Sequence, residues 1–409
     1  MNFFRVIAPM LCLAAALLCG ATASATAPTA PEQTLVSGYN STGQRLFQDL
    51  AKAPDNIVLS PYSVGSALSM VLAGARGDTA KAIGDALQLN LSPADLADAN
   101  AALIADLKSA NDKNSAVLNS ANALAEVKPD VVDADFRSLL QKHYAAEIFP
   151  GDLNAINRWI AQKTSGKISH LLDSLPDGTG FVLANAAYFK AFWQYPFDKA
   201  ETENGTFHLT AVRDVEVPMM HDEDHFALVK GKDFKAIRLP YRSADERLGM
   251  IVVLPDAIDG LAAVIAELGP KQLADLFADF GSADFADVQL QLPRFHTGYR
   301  ASLAAPLEKV GMGPAFNLQK ADFSGMTGRP PAELQVAIAD VIHNAVIDVN
   351  EESSEAAAAT AVPMAATAMA PVNQPPPEPF IVDRPFLFFI VDQKTGAVLF
   401  QGRIVDPRH

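Results

Sequence analysis

The C-terminal segment restricts the fold most, because it predicts two strands that have no partners nearby. "RPFLFFIVDQKTGAVLFQGRIVD", residues 384–406, is typical of a hairpin, with Lys394, Thr395 and Gly396 in its turn. Other strand-like runs begin near residue 180, in "GFVLANAAYFKAFWQYPF", and continue through "LGMIVVLPD" and "VQLQLPRF". The hairpin must therefore pair with strands made much earlier in the chain, which favours one unit with long-range pairing.

The order of the remaining elements indicates an α+β fold. Residues 35–125 are predicted to be mostly helical, and residues 136–175 carry more helix. Ser60 and Pro61 predict a helix start, since serine is a good N-cap and proline suits the first turn. Helices come first and strands later, with no repeat and no linker between them. We therefore expect a single domain over residues 26–409.

Residues 1–25 are predicted to be a secretory signal peptide. Arg5 supplies a positive charge, "VIAPMLCLAAALL" is the apolar core, and "ATASATA" offers small residues for cleavage after Ala25. Cys19 could instead carry a lipid, but Leu18 before it is bulky for a lipidation signal. We expect export to a periplasm or to the extracellular medium, and the style of the leader indicates a bacterial protein.

The charge and cysteine content exclude several kinds of partner. The formal charge of −15 becomes −16 when Arg5 leaves with the signal peptide, and the chain has no basic run. This acidic balance argues against nucleic acid, anionic membranes and heparin, which all require clustered Lys and Arg. Cys12 and Cys19 both lie in the signal peptide, so the mature chain is expected to have no thiol and no disulfide. We expect a soluble monomer.

No catalytic set is evident in the sequence. G-x-S-x-G, H-E-x-x-H, P-loop and G-x-G-x-x-G motifs are all missing. His221 and His225 lie among three acids in "MMHDEDHF", which looks like a metal site, but the ligand count favours a solvated loop between strands. His343, in "VIHNAVIDV", is predicted to be a hydrogen-bonded core residue. We therefore predict no enzyme activity, no cofactor and no metal, and expect binding or a change of shape instead.

The segment "NEESSEAAAATAVPMAATAMAPVNQPPPEPF", residues 350–380, lies between two predicted strands. If it were extended, alternate residues from Ser354 to Ala366 would share one face, and every side chain on that face is small or apolar. A charge on such a face would oppose burial, and none is present. The segment could therefore enter a sheet as an additional strand.

Several motifs in the same order resemble the serpin family over nearly all of the mature chain. They include "NIVLSPYSVGSALSMVLAGARGDTAKAI", "GFVLANAAYFKAFWQYPFD", "LPRFHTGYRASLAAPLEKVGMGPAFNLQKADFSGM" and "VIHNAVIDVNEESSEAAAATAV". The resemblance implies a metastable fold of three β-sheets and eight or nine helices. It also implies an exposed reactive-centre loop, at about residues 351–380.

The resemblance further implies a suicide-substrate inhibitor of serine proteases. A protease attacks the loop, the loop inserts as a strand in the central sheet, and the acyl-enzyme is trapped as a covalent 1:1 complex. Counted along the loop at the family's usual spacing, the resemblance implies a reactive bond at Thr367–Ala368, with Ala366 and Met369 as alternatives. Small residues there favour an elastase-like protease, and Met369 would admit a chymotrypsin-like one.

The family's other functional positions carry over residue by residue. The hinge of the loop corresponds to Glu351, Ser353, Ser354, Glu355, Ala356, Ala357, Ala358, Ala359 and Thr360. The polar cluster beneath the sheet, called the shutter, corresponds to Ser60, Ser63, Asn185 and His343, and the breach at the top of the sheet to Trp193, Arg294 and Glu351. We expect Glu351 to pair with Arg294.

Two positions depart from the family pattern. Ser353 stands where glycine is usual, and Pro363 lies in the segment that should insert, where it would remove one ladder hydrogen bond. Both leave room for cleavage without trapping. The alternative function is a non-inhibitory serpin that acts as a binding or carrier protein.

The uncharged hinge face generates the first prediction. Ser354→Arg should convert the inhibitor into a substrate, because the inserting strand would have to bury an unpaired charge. The uncleaved protein should keep its fold. Denaturing gels of the variant mixed with protease should show cleaved chain and no covalent complex; undiminished trapping by the variant would contradict the expected insertion.

Overall fold

The structure, a computed structural model, describes residues 27–110, 116–163, 166, 172–175, 180–353 and 376–408. The predicted signal peptide, residues 1–25, lies outside these ranges. So do the hinge residues from Ser354 to Thr360, together with Pro363 and the reactive-bond candidates from Ala366 to Met369. In the described ranges, no helix combines the length and apolar character needed to cross a membrane.

The described ranges contain eight α-helices of seven or more residues, several of them in the first half of the chain. Ser60 caps the second helix by accepting a hydrogen bond from the Ser63 backbone, and Pro61 occupies its first turn, as predicted. The helices are α1 Ala30–Leu50, α2 Pro61–Gly74, α3 Gly77–Leu87, α4 Pro93–Ala110, α5 Ala134–Tyr144, α6 Leu153–Lys163, α7 Leu261–Glu267 and α8 Pro270–Phe280.

Shorter helical turns complete this set. They are α9 Ala304–Leu307, a π-helical turn Glu308–Met312, α10 Gly313–Phe316, α11 Ser324–Thr327, and 3₁₀ turns at Lys199–Glu201 and Ala244–Glu246.

Fourteen strands in the described residues form two sheets. The strands are β1 Ile57–Leu59, β2 Ala116–Glu126, β3 Glu147–Pro150, β4 Phe181–Ala191, β5 Glu203–Thr210, β6 Arg213–Lys230, β7 Phe234–Pro240, β8 Leu248–Pro255, β9 Phe285–Pro293, β10 Phe295–Ser302, β11 Ile338–Val349, β12 Glu378–Ile381, β13 Phe386–Asp392 and β14 Ala397–Ile404. The five-stranded sheet has the order β10-β11-β4-β2-β3. The other has the order β1-β14-β13-β8-β7-β6-β9-β12, with β5 paired to β6.

The resemblance implied three sheets, but the described strands form two, because the long strand β6 connects two groups of strands in the nine-stranded sheet. Its first part pairs with β5, its middle with β9 and its last residues with β7. The predicted solvated loop around His221 and His225 is therefore wrong, because both residues lie within β6. Met220 and Phe226 on either side of the polar run are buried, whereas residues 223–225 are exposed, so the run is an exposed stretch of a paired strand rather than a loop.

The predicted C-terminal hairpin is present, and its partners are remote in sequence. Strands β13 and β14 pair with each other, β13 pairs with β8, and β14 pairs with β1. The sequence interpretation missed β2 and β3, which interrupt the regions predicted to be helical. "AVLNSANALAE", the sequence of β2, is rich in alanine, a strong helix former, but pairing with β4 and β3 outweighs that local preference.

Helix α2 lies between the two sheets and positions the polar groups described below. Almost all of its side chains are buried, and it contacts β2 and β4 of one sheet and β14 of the other. A Cβ at Gly65 would come within 2.4 Å of the Tyr39 ring, so only glycine permits the close approach of α1 and α2.

A buried ion pair secures the C-terminal hairpin. Arg247 Nε donates to Asp392 Oδ1 at 2.5 Å, the Thr395 hydroxyl donates to Asp392 Oδ2 at 2.7 Å, and Asp392 is fully buried. Removing one partner of such a pair leaves an uncompensated buried charge, whereas replacing both with apolar residues removes the desolvation penalty as well.

We therefore expect Arg247→Met to lower the free energy of unfolding by about 3–5 kcal/mol. The double variant Arg247→Met/Asp392→Leu should recover most of this loss. Urea unfolding followed by circular dichroism measures both. As a control, Lys81→Met breaks the exposed Lys81–Asp85 pair and should leave the midpoint unchanged. Equal stability of Arg247→Met and wild type would show that the pair does not support the hairpin.

Candidate functional site

The central feature of the five-stranded sheet is the contact between β4 and β11, which we call the seam. These strands run parallel and pair directly, from Ile338 opposite Phe181 to Val346 opposite Tyr188. Each has an antiparallel neighbour on its other side, β2 beside β4 and β10 beside β11. The chain leaves β11 at Val349 and reaches Ser353, the last described residue before the alanine-rich segment.

A buried hydrogen-bond network crosses the seam. His343 on β11 lies directly opposite Asn185 on β4, and its Nδ1 is 2.9 Å from Asn185 Oδ1. The Ser60 backbone N–H donates to His343 Nε2 at 3.2 Å. Because Nε2 accepts, Nδ1 carries the proton and donates to Asn185. One neutral imidazole thus joins both strands to the N-terminus of α2.

The predicted shutter residues are brought together, along with three that the sequence interpretation missed. The Asn185 amide donates to Ser63 Oγ at 2.5 Å and to Asn122 Oδ1 at 2.7 Å. Asn122 in turn donates to Ser66 Oγ at 3.0 Å, and the Ser63 and Ser120 hydroxyls lie 2.8 Å apart. Ser120 and Asn122 are alternate residues of β2, so a polar pair at strand spacing was the available signal.

The shutter histidine is held neutral by its surroundings. His343 is fully buried, and this desolvation lowers its pKa to about 3. Burial of the imidazolium is unfavourable here because both ring nitrogens are committed, one as donor and one as acceptor. Protonation would destroy the acceptor for the Ser60 N–H.

Trp193 anchors the start of the loop at the end of the seam beyond Val346 and Tyr188, which we call the open end. Its Nε1 donates to the Asn350 carbonyl at 2.8 Å, and its backbone N–H donates to the Glu352 carbonyl at 3.1 Å. The indole stacks on Tyr241, with ring centroids 4.5 Å apart and an interplanar angle of 10°. A bridge between Phe192 and Ser353 completes the anchor. Trp193 and Ser353, the predicted breach and hinge residues at this place, are both buried.

Glu351 is held by two side chains at the same place. Arg294 Nε donates to Glu351 Oε1 at 2.5 Å, which is the pairing expected from the sequence, and the Thr202 hydroxyl donates to the same oxygen at 2.6 Å. Burial opposes ionisation of Glu351 and is the largest single effect. The hydrogen bonds from Thr202 and Arg294 together outweigh it, so the pKa of Glu351 lies below its ordinary value.

The histidines of β6 do not form a metal centre within the described residues. His221 Nδ1 contacts the Glu201 carbonyl at 2.7 Å, and His225 Nε2 lies 2.9 Å from Asp287 Oδ1. Burial, followed by repulsion from Asp224, raises the pKa of Asp222 to about 6. No cluster of three or more His, Cys, Asp or Glu suited to a metal ion occurs in the described part of the chain.

Comparison with known proteins identifies the family to which this architecture belongs. Residues 37–407 match the sequence model of the family Serpin (serine protease inhibitor). Leukocyte elastase inhibitor of Bos taurus is 35% identical over 367 residues, which cover 86% of this chain and 93% of that protein. The chain belongs to the serpin family, whose relatives include protease inhibitors.

Two solved structures share the fold closely. The thermophilic serpin tengpin in its native state superposes with a TM-score of 0.81 at 26% identity, covering 91% of this chain and 94% of that one. Human thyroxine-binding globulin gives the same TM-score and identity, covering 93% of this chain and 100% of that one. The predicted α+β serpin fold is therefore confirmed.

The shutter generates a prediction about pH. The pKa of His343 is lower in the folded protein than the ordinary value near 6.5, so the unfolded chain binds the extra proton first. The stabilisation by the neutral imidazole is complete above pH 6.5 and is lost as the pH falls toward 3. Over that window it should decrease by up to about 1.4 kcal/mol per pH unit.

Urea midpoints measured between pH 7.5 and 4.5 test this prediction. His343→Gln should reduce the slope of the unfolding free energy against pH by the contribution of one proton, up to about 1.4 kcal/mol per pH unit, because glutamine does not titrate. Val212→Ala is the control, since Val212 is 95% exposed and does not titrate, and it should keep the wild-type pH dependence. If His343→Gln kept the full wild-type slope, another group would have to be responsible.

Proposed function

We propose that the protein is a suicide-substrate inhibitor of serine proteases, in which the cleaved loop inserts as a strand at the seam. The observation that supports it is the direct parallel pairing of β4 and β11 at the place where the chain leaves for the alanine-rich segment. This arrangement offers a site for one further strand. The family match and the leukocyte elastase inhibitor relative point in the same direction.

Strand direction makes insertion favourable. A chain that turns back after β11 runs antiparallel to β11, and also to β4, because those two strands are parallel. Opening the seam breaks one parallel ladder, and the new strand forms two antiparallel ladders. Antiparallel pairing is slightly more stable per residue, and each additional backbone hydrogen bond contributes of order 1 kcal/mol.

The sequence of the segment suits this role. The alternate residues from Ser354 to Ala366 are small or apolar, so the face that would turn toward the core carries no charge. Insertion of about fifteen residues at roughly 3.3 Å each would carry a tethered protease about 50 Å. Such a distance takes the acyl-enzyme from one end of the molecule to the other and distorts it before deacylation.

The anchors explain why the uncleaved protein stays closed. The Trp193 and Glu351 contacts hold the first loop residues at the open end, and the His343–Asn185 bond holds the seam further down. In the proposed mechanism, cleavage releases the far end of the loop, so that insertion no longer has to keep both ends attached. The intact loop would be kept out by its covalent connection to β12.

The target follows from the residues around the reactive bond. The reactive bond is proposed at Thr367–Ala368, with Ala366 and Met369 as alternatives. The small residues would suit an elastase-like protease, and Met369 would admit a chymotrypsin-like one. We further propose that the protein acts after export, with residues 1–25 as signal peptide, and forms a covalent 1:1 complex as a monomer.

A second candidate function is that of a binding or carrier protein. The fold likeness to thyroxine-binding globulin favours it. The two functions differ in their response to loop cleavage, since only an inserting loop adds a strand to the sheet.

We expect a denaturation-resistant complex when the protein is mixed with elastase- or chymotrypsin-like proteases. Denaturing gels reveal it, and mass spectrometry of the released fragment locates the reactive bond. After cleavage, the thermal midpoint should rise strongly, because two ladders replace one. Cleaved product alone, together with an unchanged midpoint, would leave the carrier function as the better account.

Ser354→Arg has a matched control one residue away. Glu355→Arg changes the charge on the face that would be opposite Ser354 once the segment is inserted as a strand. It should therefore retain trapping while Ser354→Arg loses it. Equal loss in both variants would mean that loop charge in general, rather than the buried face, decides the outcome.

A further inference from the structure

An aromatic cleft lies on the surface near both ends of the loop. Phe285 and Tyr195 are the most exposed aromatic side chains of the described residues, at 70% and 56%. Both line the same cleft of about 480 Å³. Its floor is apolar, with the buried side chains of Phe226 and Ala227. Two large exposed rings over one apolar floor form a patch of the kind that marks protein contact.

The position of the aromatic cleft relates it to the loop. Tyr195 lies between Phe192 and Phe197, the residues that bind Ser353 and Glu351 at the departing end of the loop. Phe285 begins β9, three residues before Val288, which pairs with Glu378 in parallel. It therefore lies at the end of β9 from which the returning chain enters β12. The two rings thus come one from each end of the loop.

The charge around the aromatic cleft limits what fits it. Two acidic residues, Asp224 and Glu246, and one basic residue, Arg238, line it, and Arg238 donates to the Glu246 backbone carbonyl at 2.7 Å. His225 faces Asp287 at 2.9 Å. The whole chain carries a formal charge of −15. A partner with an apolar patch bordered by basic side chains is complementary to this surface.

We propose that the aromatic cleft is a docking surface for the protease that attacks the loop. The proposal rests on the proposed function and adds a second contact, outside the reactive bond. A protease engaged on the loop is held over the region between the two loop ends, where Tyr195 and Phe285 lie. Aromatic anchors in such a position raise the rate of productive encounter, and the surrounding acids select a protease with basic groups beside its active-site cleft.

The experiment compares rates of loop attack, counted as cleaved plus trapped chain. From a panel of elastase- and chymotrypsin-like proteases, the one that attacks wild type fastest is used. Tyr195→Ala/Phe285→Ala should lower the second-order rate constant at least tenfold. Val212→Ala, at a residue 95% exposed on the β5–β6 turn, should leave it unchanged. A synthetic peptide of residues 350–377 lacks the cleft and sets the rate for loop sequence alone.

Further measurements separate docking from damage to the loop anchor. Phe285→Ala alone, on a different strand from the Trp193 anchor, should still lower the rate constant of loop attack, by less than the double variant. In both variants the ratio of trapped to cleaved chain should stay at the wild-type value. A double-variant rate within twofold of wild type would overturn the proposal. So would a wild-type dimer that the double variant loses, because the cleft would then bind a second copy. If wild type is cleaved without trapping, the proposed function fails, yet the rate comparison still decides the docking surface.

Discussion

The direct pairing of β4 and β11 is the constraint on which the rest of this structure depends. β4 and β11 are parallel and share a ladder of backbone hydrogen bonds. A strand that runs antiparallel to both could nevertheless pair with each of them if they separated. The chain supplies a candidate for that strand immediately after Ser353. In the proposed mechanism that segment becomes the inserted strand, and the contacts that keep the seam shut oppose its entry.

Those contacts are concentrated at two places along the seam, its open end and its middle. At the open end, Trp193 and Glu351 hold the backbone of the first loop residues through hydrogen bonds and an ion pair. Further down, the Asn185–His343 bond joins the strands within the buried core. A buried hydrogen bond of this kind adds only about 1 kcal/mol to stability, but a buried donor or acceptor left without a partner costs its full desolvation penalty. The seam therefore resists partial opening more than a purely apolar contact would.

The positions of the polar cluster came from the family resemblance, whereas local sequence rules recovered only some of the elements around it. Ser60 was identifiable because an N-cap serine followed by proline has a local signature, and the hairpin because its turn and flanking residues agree. β2 was not, since its alanines favour a helix and only its neighbours make it a strand. His221 and His225 suggested a loop because every residue from His221 to His225 is polar, although the run is paired with β9 and buried residues precede and follow it. Capping and turn signals thus predict helix starts and hairpins, whereas strands such as β2 depend on long-range pairing that local sequence does not show.

The neutral state of His343 has a consequence for how the seam can open. Its two nitrogens use their single donor and single acceptor on different elements, Asn185 of β4 and the N-terminus of α2. If β4 moves away from β11, the imidazole loses its acceptor, while Asn185 keeps bonds to Ser63 and Asn122. In the proposed opening, Asn185 would therefore stay bonded to α2 and β2, His343 would keep only the Ser60 N–H, and the unpaired donor would lie on β11. An entering strand must then present an acceptor or allow His343 to find one, because a buried donor without a partner would cancel the gain of several ladder bonds.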